Sequence, residues 1–94
     1  MKFNYAFISG AAISISSGIA TQQRNLADIA EVVLPRSEKK FALLDSTKFN
    51  TNALISFAQP ETIDVLITDE ALEEETLREY EALNWQIASA PLPE

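Results

Sequence analysis

Three short runs of the chain are almost wholly apolar: "YAFISG" (Tyr5 to Gly10), "KFALLD" (Lys40 to Asp45) and "IDVLITD" (Ile63 to Asp69). Runs of this length without polar alternation are expected of strands buried on both faces of a parallel sheet. A fourth, "WQIASA" (Trp85 to Ala90), reads as a last strand, with Trp85 in the core because it is large and close to apolar Ile87. Between these runs the period changes. Leu26, Ile29, Ala30 and Val33 stand at i, i+3, i+4 and i+7, one face of an amphipathic helix, and Pro35 ends or kinks it. Leu72, Leu77, Tyr80 and Leu83 predict a second helix through "ALEEETLREYEAL". Glu73, Glu74 and Glu75 meet the positive end of its dipole, and Glu74 can pair with Arg78 at i, i+4.

The links are less regular. "AAISISSG" (Ala11 to Gly18) reads as a loop, with Gly18 available for positive φ. In Asn50 to Thr62, the placing of Ala53, Leu54, Phe57 and Ala58 predicts one or two helical turns closed by Pro60. "RSEKK" (Arg36 to Lys40) reads as a solvated helix-to-strand turn, and residues 91–94, "PLPE", as a tail. Strands alternating with helices through short links predict an α/β fold, a small mostly parallel sheet with crossover helices. There is no internal repeat and no low-complexity linker.

Composition narrows the function classes. At 94 residues the chain has room for one core, and with 47% apolar residues it has enough side chain to build one. With no cysteine and no histidine, disulfides, thiolate nucleophiles, zinc clusters and imidazole acid–base chemistry are excluded. The absence of cysteine agrees with the cytoplasm. Fourteen acids against seven bases give a net charge of −7, and no basic face is present to displace counterions from nucleic acid. The uncharged stretch from Phe3 to Gln23 is broken by Ser9, Gly10, Ser14, Ser16, Ser17 and Gly18. It is therefore too polar for a signal peptide's apolar core, and it falls short of the ~20 predominantly apolar residues of a membrane span.

Parallel sheets bind ligands at the carboxyl edge of their strands. Here that edge carries "SGAAISISSG", "DSTKFN" and "TDEAL". Asp45-Ser46-Thr47-Lys48 combines an acid, two hydroxyls and a cation at one strand end. Lys48 suits a phosphate or carboxylate, and Ser46, Thr47 and their backbone N–H groups can add neutral hydrogen bonds. Taken alone, the same residues more readily read as a turn, with Asp45 and Ser46 capping it and Lys48 in solvent. Asp69 and Glu70, at the next strand end, suit a metal or a sugar hydroxyl, or else cap the following helix. Neither a Walker pattern nor GxGxxG is present, and the one proton-transfer pair available is Lys48 with Asp45 or Asp69.

The ordered set "FISGAAIS", "GIAT", helix, "FALLDSTKFN", "IDVLITDEAL" and "LNWQIASA" resembles the end of the DeoR family of bacterial sugar-operon regulators. That family's equivalent motifs are of the type F-x-G-A-x-G-I, G-x-T, A-D-S-S-K-F-G and I-D-x-L-I-T-D. The resemblance covers nearly the whole chain and is most specific at "DSTKF" followed by "DVLITD". It implies a sugar-phosphate-sensing domain related in fold to ribose-5-phosphate isomerase. It also implies a non-enzymatic, cytoplasmic regulator that oligomerises and reaches operator DNA through a separate helix-turn-helix. Residue by residue, Lys48, Asp45, Ser46 and Thr47 would line the effector pocket, Gly10 would lie beside it and Asp69 at the next strand end. No cofactor and no metal are implied. The chain lacks the helix-turn-helix, the first part of the sensor and the Gly/Ser/Thr loop that cradles the effector phosphate. It therefore reads as a single domain, residues 1–94, the C-terminal fragment of such a sensor. Leu26, Ala27 and Ala30 replace the family's E-A-x-x-K, and "GAAI" lacks its second glycine. Weak or absent effector binding in this fragment is the expectation. The alternative function is a small isomerase-like sugar-phosphate enzyme using Lys48 and an acid.

Overall fold

The structure, a computed structural model, describes residues 2–90, so the predicted tail at 91–94 lies outside the described residues. Its centre is a four-stranded parallel sheet of β1 (Phe3–Ser9), β4 (Ser37–Leu43), β6 (Val65–Asp69) and β7 (Ile87–Ala90), in that spatial order. All four strands predicted from continuous apolar character are present, with shifted ends. β4 begins earlier than expected, because Ser37–Lys40 ladders with β1 instead of forming a turn. Ser37 is buried and its hydroxyl donates to the Val33 carbonyl at 2.8 Å, which fastens the start of β4 to the preceding helix.

The fold is α/β as predicted, and it also has a second, antiparallel sheet that the residue pattern did not predict. Its strands are β2 (Ala12–Ser14), β3 (Gly18–Thr21) and β5 (Ile55–Ala58), in the order β2-β3-β5. The segment expected to be a loop, Ala11 to Gly18, is therefore a hairpin. Gly18 sits at φ 70°, and the Ser14 hydroxyl accepts from the Ser17 N–H at 3.1 Å across the turn. The expected helical turns in Asn50 to Thr62 are instead β5 and a 3-10 turn at Pro60–Thr62. Leu54, which a helix would have packed inward, is 86% exposed, whereas Ala58 is buried against β3.

Helix α1 (Arg24–Val33) ends where Pro35 predicted, passing into a 3-10 turn at Leu34–Arg36. The face it buries differs from the expected stripe. Ala27, Ala30 and Leu34 face inward, Val33 is half-buried, and Leu26 and Ile29 are exposed. Small alanines permit the close approach to β3 and β5 that leucine at those places would block. Helix α2 (Glu74–Glu81) buries Thr76 and Tyr80 and closes with Asn84 at φ 73°, the left-handed cap residue that lets the chain turn into β7. The predicted Glu74–Arg78 pair forms at 2.7 Å on the exposed face of α2.

Strands β1, β4, β6 and β7 step in one direction across the sheet, so right-handed crossovers all pass over the same face. The core bears this out. Ala6, Ala42 and Leu66 from one face of the sheet cluster with Ile13 and Ile19 of the small sheet, Leu34 after α1, and Tyr80 of α2. Trp85 is in this core, as its size predicted.

Candidate functional site

The carboxyl ends of β4 and β6 lie side by side, with Leu43 opposite Ile67. Each leads into a short loop, and the two loops are joined by the Asp69 side chain. One Asp69 carboxylate oxygen accepts from the Ser46 N–H at 2.9 Å, and the other accepts from the Ala71 N–H at 2.9 Å. These bonds to the charged form, above all the one from Ser46, hold the Asp69 carboxyl below its ordinary pKa against the opposing effect of desolvation. Asp69 thus ties the β4 loop to the β6 loop. The start of α2 has Glu73 as its N-cap, with no side-chain cap bond.

Ser46–Lys48 forms a 3-10 turn capped by Asp45. The Asp45 carboxylate accepts from the Thr47 N–H at 2.9 Å and from the Thr47 hydroxyl, and the Asp45 carbonyl accepts from the Lys48 N–H at 3.0 Å. The backbone N–H groups of Ser46, Thr47 and Lys48 are all engaged internally, so they do not add hydrogen bonds for a ligand as the sequence suggested. In this turn Lys48 is half-buried and Thr47 is exposed. Arg78–Glu74 is the one ion pair among the described residues, so Lys48 has no carboxylate within ion-pair distance.

Beyond the turn the chain is fixed by residues that the sequence did not single out for the site. Asn50 takes φ 61°, and its N–H donates to the Tyr80 hydroxyl at 3.2 Å. That hydroxyl donates to the Asn50 side-chain carbonyl at 2.9 Å, with the Ile13 carbonyl at 3.4 Å. Tyr80 is fully buried and meets Phe49 edge-on at 5.0 Å. Burial raises the Tyr80 pKa, the Asn50 N–H partly offsets this, and Glu79 adds to it. The Thr51 hydroxyl donates to the Lys48 carbonyl at 2.6 Å, and the Thr51 N–H donates to the Ile13 carbonyl at 3.1 Å. The lysine-bearing turn is therefore held at both ends, by Asp69 before it and by Asn50, Thr51 and Tyr80 after it. Asparagine after "TKF" was the one available signal, since asparagine tolerates the left-handed region.

The predicted site residues do not all share one hollow. Ser46 and Thr47 line a cavity of about 290 Å³ with Phe49, Asn50, Leu72 and Glu73. Asp45 and Asp69 line a neighbouring one of about 250 Å³ with Leu43, Ile67 and Ala90. Lys48 lines neither. Gly10 stands at the carboxyl end of β1, where an added Cβ would lie 2.6 Å from the Ile19 side chain, 3.2 Å from the Ala20 carbonyl and 3.7 Å from Leu44. Its contribution is close packing behind Leu44, next to Asp45. Among the described residues no group of three or more acids, histidines or cysteines is placed to hold a metal ion.

A family model described as the DeoR C-terminal sensor domain matches residues 1–70, the part of the chain that holds β1 through β6 and the Ser46–Lys48 turn. The chain belongs to the DeoR C-terminal sensor domain family. It is also similar to the HTH-type transcriptional regulator GlpR of Haloferax volcanii, 28% identical over 81 residues. That match covers 86% of this chain and 32% of the relative, so the chain spans about a third of that regulator's length. The family match agrees with what the resemblance of "DSTKF" and "DVLITD" implied. No helix among the described residues is long and apolar enough to cross a membrane.

Proposed function

We propose that this DeoR-type domain senses a phosphorylated sugar or sugar-derived effector and takes part in oligomerisation. In this reading it is the C-terminal part of a longer cytoplasmic sensor, and operator DNA is met only through a helix-turn-helix outside it. The observation that carries the reading is the Ser46–Lys48 turn. It is tied down at the carboxyl edge of the sheet by Asp45, Asp69 and Asn50 while its one cation stays unpaired. A preorganised turn presenting a lysine suits an anion, and the adjacent carboxylates of Asp45, Asp69 and Glu73 suit sugar hydroxyls. The chain's net charge of −7 sets its expected affinity for a phosphate low. The proposed action is a population shift: effector favours one arrangement of the assembly and so alters operator affinity.

The catalytic alternative has less support. Proton transfer between Lys48 and an acid needs a carboxylate at hydrogen-bond distance. The Asp45 carboxylate accepts from a backbone N–H of its own loop, and the Asp69 carboxylate from one N–H of each loop. The test is calorimetric titration with a panel of pentose and hexose phosphates against the unphosphorylated sugars, alongside a turnover assay. Weak binding of one phosphorylated sugar, lost in Lys48→Ala and without conversion, is the expected result. Sustained conversion that disappears in Lys48→Ala would overturn the sensing role.

A further inference from the structure

Thr76, in the first turn of α2, is only 9% exposed, yet its hydroxyl has no hydrogen-bond partner among the described residues. A threonine hydroxyl within a helix can bond back to the carbonyl four residues earlier, and buried polar groups are rarely left without a partner. The Thr76 side chain instead lines the cavity of about 290 Å³ between α2 and the lysine-bearing turn. Phe49 and Leu72 are the apolar part of that lining, and Asn50 and Glu73 stand beside them. The hydroxyls of the turn itself are already engaged, Ser46 with Asp69 and Thr47 with Asp45. The Asn50 side-chain carbonyl accepts from Tyr80, which leaves its amide NH2 as a donor. Glu73 is the N-cap of α2 without a side-chain cap bond, and it is outside the one ion pair of the described residues. The first hydrogen bond of α2 runs from the Leu77 N–H to the Glu73 carbonyl at 2.9 Å, so the N–H groups of Glu74, Glu75 and Thr76 lack an intrahelical acceptor.

We infer that this cavity takes the neutral polyol portion of the effector, with Thr76 as the residue that selects for a hydroxyl. The inference rests on the lysine-bearing turn as the place of the anionic group, and it adds the subsite for the rest of the molecule. A hydroxyl both donates and accepts, so a polyol can donate to the Glu73 carboxylate while accepting from Thr76 or the Asn50 amide. Its carbon–hydrogen faces suit Phe49 and Leu72. An anion suits the cavity less, because Glu73, Glu74 and Glu75 gather at this end of α2 and offset its dipole. The phosphate therefore stays with Lys48, which does not line the cavity. The volume is at the lower end of the ~300–1,000 Å³ of small-molecule pockets, which suits a short carbon chain or one sugar ring. A site built to bond a hydroxyl rejects a ligand that lacks it, because its own polar group is then left unpaired.

The test follows amide chemical shifts of the whole chain during titration with pentose and hexose phosphates, their deoxy counterparts and inorganic phosphate. A sugar phosphate that binds should shift Glu74, Glu75 and Thr76 together with the Ser46–Lys48 turn, whereas inorganic phosphate should shift the turn alone. Thr76→Val keeps the shape and removes only the hydroxyl. It should weaken the sugar phosphate by about five- to tenfold, abolish its preference over the deoxy counterpart, and leave inorganic phosphate unaffected. Its urea midpoint should be no lower than that of wild type, since the hydroxyl bonds nothing in the fold; a lowered midpoint assigns the hydroxyl to the fold and overturns the inference. Sugar-phosphate binding that shifts the turn alone and is indifferent to Thr76→Val overturns the subsite and leaves the anion-binding turn standing. Shifts at the start of α2 that are lost in Thr76→Val but kept in Lys48→Ala support the subsite and overturn the turn as the place of the anion. No shift with any of these compounds overturns both.

Discussion

Removing the Tyr80 hydroxyl tests whether the lysine-bearing turn is held from below. In Tyr80→Phe the ring and its edge-on contact with Phe49 remain, and only the oxygen is lost. The Asn50 N–H then has no acceptor in place of the bond at 3.2 Å, and the Asn50 side-chain carbonyl loses its donor at 2.9 Å. Asn50 is exposed, so water reaches its side chain and that loss is small. The Ile13 carbonyl keeps the Thr51 N–H as donor, so it is not orphaned. The balance is one to two hydrogen bonds of ordinary net worth, about 1–1.5 kcal/mol, or roughly 5–10 °C in Tm for a domain of this size. Urea unfolding followed by the fluorescence of Trp85, which is buried, measures it directly. Hydrogen exchange should show faster opening at Asn50 and Thr51 than at β1 or β4. A change below about 0.3 kcal/mol, with exchange at Asn50 unaltered, would refute the claim that Tyr80 anchors the site loop.

Three further outcomes are expected. Gly18→Ala should destabilise by about 2–4 kcal/mol, since its Cβ would come within 2.2 Å of the Ala58 carbonyl at φ 70°; chemical denaturation measures it. Gly10→Ala should cost less, about 1–3 kcal/mol, because the closest atom it meets is a methyl of Ile19. Asp69 has a lowered pKa in the fold, so its stabilisation is complete above the unfolded carboxylate value of ~3.9 and is lost as pH falls through the folded value. The stability gap between wild type and Asp69→Asn should therefore shrink below that pH in denaturant titrations, and a gap constant with pH would contradict it.

The four parallel strands were legible because each is a short apolar run with little alternation, although Tyr5, Phe7 and Leu43 on one face of the sheet are exposed and not buried as that pattern led one to expect. The small sheet was not legible. Ala12–Ser14 and Gly18–Thr21 are three and four residues long and rich in small side chains, so neither shows a period. Ile55–Ala58 shares its apolar spacing with a helical turn, and its pairing with β3, thirty-odd residues earlier in the chain, decides the matter. On α1 the larger residues misled: Ala30 of the predicted stripe is buried and Val33 half-buried, but Leu26 and Ile29 are exposed and Ala27 is buried instead. The same division holds at the site. Asp45, Ser46, Thr47, Lys48 and Asp69 were visible as strand-end chemistry. Their division of labour was not, since it depends on bonds such as Ser46 to Asp69 and Asn50 to Tyr80 between distant segments. Gly10 was placed at the site by resemblance, and its close approach to Ile19 gives it a packing role there.

The central claim is that the tethered Ser46–Lys48 turn is where the effector's anionic group meets this domain. Amide chemical-shift perturbation, suited to affinities of about 1 mM or weaker, tests it most directly. On titration with phosphorylated sugars, shifts should gather at Ser46, Thr47, Lys48, Asn50 and Ala71, be absent with the unphosphorylated sugar, and vanish in Lys48→Ala without loss of stability. Shifts gathered elsewhere on the domain, or unchanged by Lys48→Ala, would contradict it.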